Sequence, residues 1–76
     1  MNSSVRWTMV IHWSDEDDAF LVTLPEWDHR VANPVTHGAT YEEAVANGRE
    51  VLEMLAESSV EHGEPLPVID QPTKAA

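Results

Sequence analysis

The sequence predicts a small α+β domain, in the order strand, strand, strand, helix, strand. Two β-patterned apolar runs, residues 5–13 and 19–24, flank four consecutive acids. A capped stretch with helical apolar spacing follows, and a glycine and two prolines then stop it.

In residues 5–13, Val5, Trp7, Met9, Ile11 and Trp13 alternate with Arg6, Thr8, Val10 and His12. Period two marks a strand with one strongly apolar face. In residues 19–24, Phe20, Val22 and Leu24 share one side and Ala19, Leu21 and Thr23 the other. A strand apolar on both faces calls for cover on both. Pro25 removes a donor and ends the ladder. The acids between the two runs make the turn of an antiparallel hairpin. Residues 26–34 read as irregular, with Asn33-Pro34 marking a turn. A short third strand is expected at residues 35–37, broken by Gly38.

The helix has the clearest local chemistry. Thr40 is the expected N-cap of a capping box, with Glu43 reaching back to it. Glu42 and Glu43 also suit the positive end of the helix dipole. Tyr41, Ala44, Val45, Gly48, Val51, Leu52 and Leu55 recur at spacings of three and four and form one apolar stripe. Gly48 within that stripe points to close approach of helix and sheet. The helix is expected to end near His62, with Gly63 as the C′ residue. Pro65 and Pro67 forbid extension, and Leu66, Val68 and Ile69 are expected to form a short last edge strand. Residues 1–76 read as one domain, with 1–4 and 70–76 expected to be flexible.

A chain of 76 residues is small. It buries only roughly 60% of the surface that it exposes when unfolded, so its stability is marginal. It has no Cys and no disulfide to compensate, which leaves association. One helix covers one face of a sheet whose second strand is apolar on both. The expectation is therefore a homo-oligomer, a dimer or tetramer, with Phe20, Val22 and Leu24 as the candidate interface. The 42% hydrophobic content excludes a disordered chain. No apolar run approaches ~18 residues and no signal peptide is evident, so a cytoplasmic protein without a membrane span is expected. Fourteen carboxylates against four Lys or Arg give a formal net charge of −10. Such a chain repels nucleic acid and meets basic partners quickly.

No chemistry of an enzyme stands out. Asp15, Glu16, Asp17 and Asp18 read first as a solvated turn, next as a partner contact and last as a metal or catalytic site. Successive residues of a hairpin turn point different ways, and the calcium-loop spacing is absent. His12, His29, His37 and His62 show no helical metal clip, no serine lies in a nucleophile motif and the three glycines are isolated. The expectation is no catalytic residue, no metal and no cofactor. Trp27, which follows Pro25 in a loop, is open to two readings: packing on its own domain, or anchoring a partner.

Together, "VIHWSDEDDAFLVTLPEW", "THGATYEEAVANGREVLEMLAE" and "HGEPLP" resemble the HicB-like antitoxin family. The family pattern is an opening strand, an acidic turn, a strand ending in Pro-Asp/Glu, a G-D-T-x-E-E-A helix start and a G-x-x-x-P close. The resemblance covers residues 5–68 and rests on the order and spacing of several motifs. It implies a truncated ribonuclease H-like fold, β-β-β-α-β, with sheet order 3-2-1-4 and one helix on one face. It also implies a partner, a small basic HicA-type toxin that cleaves mRNA and whose active site the antitoxin covers. The chain resembles a short, single-domain member without the C-terminal DNA-binding domain of many antitoxins, so the resemblance leaves DNA-based autoregulation open. Gly38-Ala39-Thr40 replaces the usual G-D-T and lacks its carboxylate. The candidate partner-binding residues are Asp15, Glu16, Asp17, Asp18 and Trp27; phosphate mimicry by the acids is suggested by their charge and is not something the resemblance implies. The alternative is a stand-alone oligomeric scaffold or ligand-binding module with no toxin.

Overall fold

A computed structural model describes residues 6–67. Strand β1 (Val10–Ser14) and strand β2 (Ala19–Thr23) form the hairpin, a 3-10 turn follows at Pro25–Trp27, and strand β3 (Thr36–Gly38) precedes helix α1 (Tyr41–Glu61). The sheet is antiparallel throughout, in the order β1-β2-β3, with α1 packed on one face. Read from its other edge this is the order 3-2-1; the fourth strand of the expected order 3-2-1-4 is not seen among the described residues. Leu66 and Pro67 lie in no strand. Residues 68 and 69 of the expected last strand, and both stretches expected to be flexible, lie outside the described residues.

The first strand begins at Val10 rather than residue 5, for a reason visible in the register. Val10 pairs with Thr23 and Ile11 with Val22. Continuing that register would set Thr8 opposite Pro25, which has no N–H to give. Thr8 turns to a side chain instead. Its N–H donates to Glu26 Oε1 at 3.0 Å and its hydroxyl to Glu26 Oε2 at 2.8 Å. Trp7 is thereby brought edge-on to Trp27, at 5.3 Å between ring centroids and 71° between planes. The segment read as irregular thus contains an ordered 3-10 turn that pins the incoming chain.

Helix α1 begins as its sequence dictates. Thr40 Oγ1 accepts from the Glu43 N–H at 3.0 Å. The reciprocal bond falls one residue earlier than expected, since Glu43 Oε1 accepts from the Ala39 N–H at 2.6 Å. At the other end Gly63 adopts φ 69°. The Gly63 N–H donates to Val60 O and the Glu64 N–H to Ser59 O, at 3.1 and 2.8 Å. That pair of bonds is a Schellman motif, and glycine supplies the left-handed residue it needs.

The core joins Trp7, Val22, Leu24, Trp27, Ala44 and Leu52, with Met9, Ile11 and Leu55 among its partly buried neighbours. Each fully buried Val or Leu contributes about 1.5–3 kcal/mol. Gly48 is where the helix meets the sheet. A Cβ there would lie 2.6 Å from Met9 Sδ and 3.0 Å from Val22 Cγ1. Gly38 is not a strand breaker: it pairs with Phe20 inside β3. A Cβ on Gly38 would lie 2.8 Å from the Ala44 Cα, so its bareness lets the helix start sit on the strand. Tyr41 and Val45, expected on the buried stripe, are exposed, while Ser59 is buried.

Candidate partner-binding surface

The acidic turn follows from the hairpin register. Ser14 and Ala19 are the last pair, which leaves Asp15, Glu16, Asp17 and Asp18 as the turn, all exposed. Asp18 takes the left-handed conformation, φ 55°, which Asp tolerates better than most residues. The Ser14 hydroxyl donates to Asp17 Oδ2 at 3.0 Å and accepts from the Asp17 N–H at 3.2 Å. Asp15 Oδ1 accepts from the Trp13 indole N–H at 2.7 Å. Two of the four carboxylates thus bond to different protein donors. Among the described residues no group of three or more His, Cys, Asp or Glu could hold a metal ion.

Beside the turn runs an aromatic strip. Trp13 and Phe20 are cross-strand partners, edge to face at 5.0 Å, and Phe20 lies 4.2 Å from Tyr41 at a tilt of 32°. Trp13 is 45% exposed and Tyr41 61% exposed. Val45, one turn along α1 from Tyr41, is also exposed. This end of the sheet therefore presents three aromatic rings next to four acids. The alternation puts Trp13 on the strongly apolar face of its strand, and the helical spacing puts Tyr41 on the apolar stripe, so both are expected to be covered. Their positions, at the next-to-last residue of β1 and the first residue of α1, were the available signal, because element ends are where a small core stops.

Trp27 moves in the opposite direction. It is 1% exposed, so it is a core residue and has no surface to offer a partner. Arg30 closes over it with the guanidinium carbon 5.4 Å from the ring centroid. The Arg30 Nη1–H donates to Ser59 Oγ at 3.2 Å, and Nη2–H donates to the Pro65 carbonyl. Arg30 thereby ties the 3-10 turn to the end of α1.

Two of the three proposed self-association residues, Val22 and Leu24, are corrected similarly. Val22 and Leu24 are fully buried in the core cluster on the helix side, and Phe20 packs with the aromatic strip. The other face of β2 carries Ala19, Leu21 and Thr23, and Leu21 stands between His12 and His37 in the register. A shallow hollow opens on that side, lined by Ala19, Leu21, Pro34, Val35 and His37 among others.

Among the described residues no helix is long and apolar enough to cross a membrane. Comparison with protein-family models, with curated proteins and with solved structures finds no match.

Proposed function

We propose that the protein is an antitoxin-like binding module of the HicB-like type, which neutralises a small basic HicA-type toxin by covering its RNA-binding surface. The observation that carries this reading is the union of the acidic turn with the exposed rings of Trp13 and Tyr41, joined through the half-buried Phe20. Charge of one sign steers a basic partner into encounter, and Trp and Tyr are the residue types that most often hold such a contact. The formal charge of −10 supports the same reading. So do the motif resemblance and the α+β arrangement, with one helix on one face as a truncated ribonuclease H-like unit has. In that unit a fourth strand would lie beside β1, whose one described strand partner is β2. The protein acts by binding, in the cytoplasm, without a cofactor or catalysis of its own. Co-expression with an adjacent gene encoding a small basic protein tests this. Growth rescue with a co-purifying complex supports it, and a non-toxic or non-binding neighbour contradicts it.

The second reading is an oligomeric scaffold with no toxin. The face of β2 that bears Ala19, Leu21 and Thr23, opposite α1, favours it. Light scattering at micromolar concentration separates an 8.5 kDa monomer from an assembly, and Leu21→Asp dissociates an assembly built on that face.

A further inference from the structure

We infer that the C-terminal half of α1 is a second docking surface, one that takes a basic amphipathic helix from a partner protein. A groove is lined by the C-terminal half of α1 together with Arg6, Trp7 and Leu66. Its apolar lining is Trp7, Ala56, Val60 and Leu66. Val60 is 68% exposed and Leu66 41% exposed, so two aliphatic side chains stand in solvent there. Trp7 gives the groove a fixed wall, because its indole N–H donates to the Pro67 carbonyl at 3.0 Å.

Charge specifies the occupant. Glu53, Glu57 and Glu61 line the same groove at successive intervals of four residues, and among the described residues Arg6 is its one basic lining residue. At ~1.5 Å per residue, four residues rise about 6 Å, so these carboxylates form a regular row along the helix. A partner helix with Lys or Arg every fourth residue has the same repeat. Its apolar stripe, on the adjacent face, meets Val60, Leu66 and Trp7, as in helix-in-groove recognition. A second copy of this chain fits poorly: of its four Lys and Arg, Arg30 is committed to Ser59 and Pro65. This inference does not depend on the antitoxin reading, since the groove lies on the opposite half of α1 from Tyr41.

The test uses the full chain and a synthetic peptide of about 16 residues with Leu and Lys at helical spacing, long enough to form a helix. Amide and indole resonances of the isotope-labelled protein are followed during titration. Shifts confined to residues 53–61, Leu66 and the Trp7 indole N–H are expected. Replacing Glu53, Glu57 and Glu61 together by Gln weakens binding by about ten-fold or more, and Val60→Asp weakens it comparably. Changing Asp15, Glu16, Asp17 and Asp18 to Asn and Ser leaves the affinity within about two-fold, because exposed charges farther off than a Debye length are screened. The inference is overturned by any of four results: no binding at millimolar peptide, equal binding of a scrambled peptide, equal loss in the turn variant, or shifts elsewhere. It also fails if the groove resonances move with protein concentration alone, which assigns the groove to a second copy. It fails likewise if peptide displaces residues 68–76 from the groove.

Discussion

The Asn33 side chain pairs with the backbone of Leu24 as a neighbouring strand would. The Leu24 N–H donates to Asn33 Oδ1 at 2.9 Å, and Asn33 Nδ2 donates to Leu24 O at 3.2 Å. The β2–β3 pairing stops with Val22 opposite Thr36 and the Val35 N–H bonded to Val22 O. Leu24 lies two residues on and is fully buried. Its backbone groups need partners away from water, and one amide side chain supplies a donor and an acceptor together. Asn33→Ala leaves the Leu24 N–H without a partner, while Leu24 O keeps its bond from the Trp27 N–H at 3.1 Å, and it is expected to cost roughly 1–3 kcal/mol in thermal unfolding. Asn33→Asp keeps the acceptor but turns a carboxylate toward Leu24 O and Asp28, which Asn33 Nδ2 also bonds at 3.1 Å, so it is expected to destabilise as well.

The two buried glycines give opposing forces that a mutation separates. Helix propensity alone favours Gly48→Ala by about 1 kcal/mol. Contact with Met9 and Val22 opposes it, so the substitution is expected to be neutral or destabilising in chemical denaturation. Gly48→Leu overpacks the seam and is expected to cost roughly 1–3 kcal/mol. Gly38→Ala is expected to cost more than Gly48→Ala, because its Cβ meets helix backbone rather than the flexible end of a methionine.

Trp27→Ala removes a ring packed against Trp7 and Arg30. It is expected to lose about 3–5 kcal/mol, the range for deleting a buried aromatic, and to unfold a domain this small. Near-ultraviolet circular dichroism and the melting temperature report it. A folded, stable variant would return Trp27 to the surface.

The acidic turn contributes little to folding, since its side chains are exposed and its bonds local. Changing Asp15, Glu16, Asp17 and Asp18 to Asn and Ser is expected to alter stability by less than about 1 kcal/mol. The same change slows association with the basic partner and flattens the dependence of the on-rate on salt. Stopped-flow association across a salt series reads both.

The helix was legible because its signals are local: Thr40 and Glu43 at one end and Gly63 at the other each act within a few residues. The two-faced alternation of β2 was legible too, but not which side the helix would take, and that placed Val22 and Leu24 in the core instead of at an interface. Trp27 resisted reading because its burial depends on Trp7, twenty positions away, and on Arg30 spanning to Ser59. Trp13 was put on the correct face of β1, the side of Ile11. Nothing in a period of two says that the core ends before Trp13, so its half-exposed indole and its place beside Tyr41 emerge only from the packing. The early end of the β1 ladder combined one readable cause, Pro25, with one that needed the register, Thr8 opposite it.

The dissociation rate of the complex with the adjacent basic gene product tests the central claim most directly, comparing the wild type with the Trp13→Ala, Tyr41→Ala double variant. The two side chains are 45% and 61% exposed, so the variant is expected to stay folded. If the aromatic strip anchors the toxin, dissociation accelerates at least about ten-fold while association changes little, as for central hot-spot residues. An unchanged dissociation rate, or no complex with the wild type, would contradict the account.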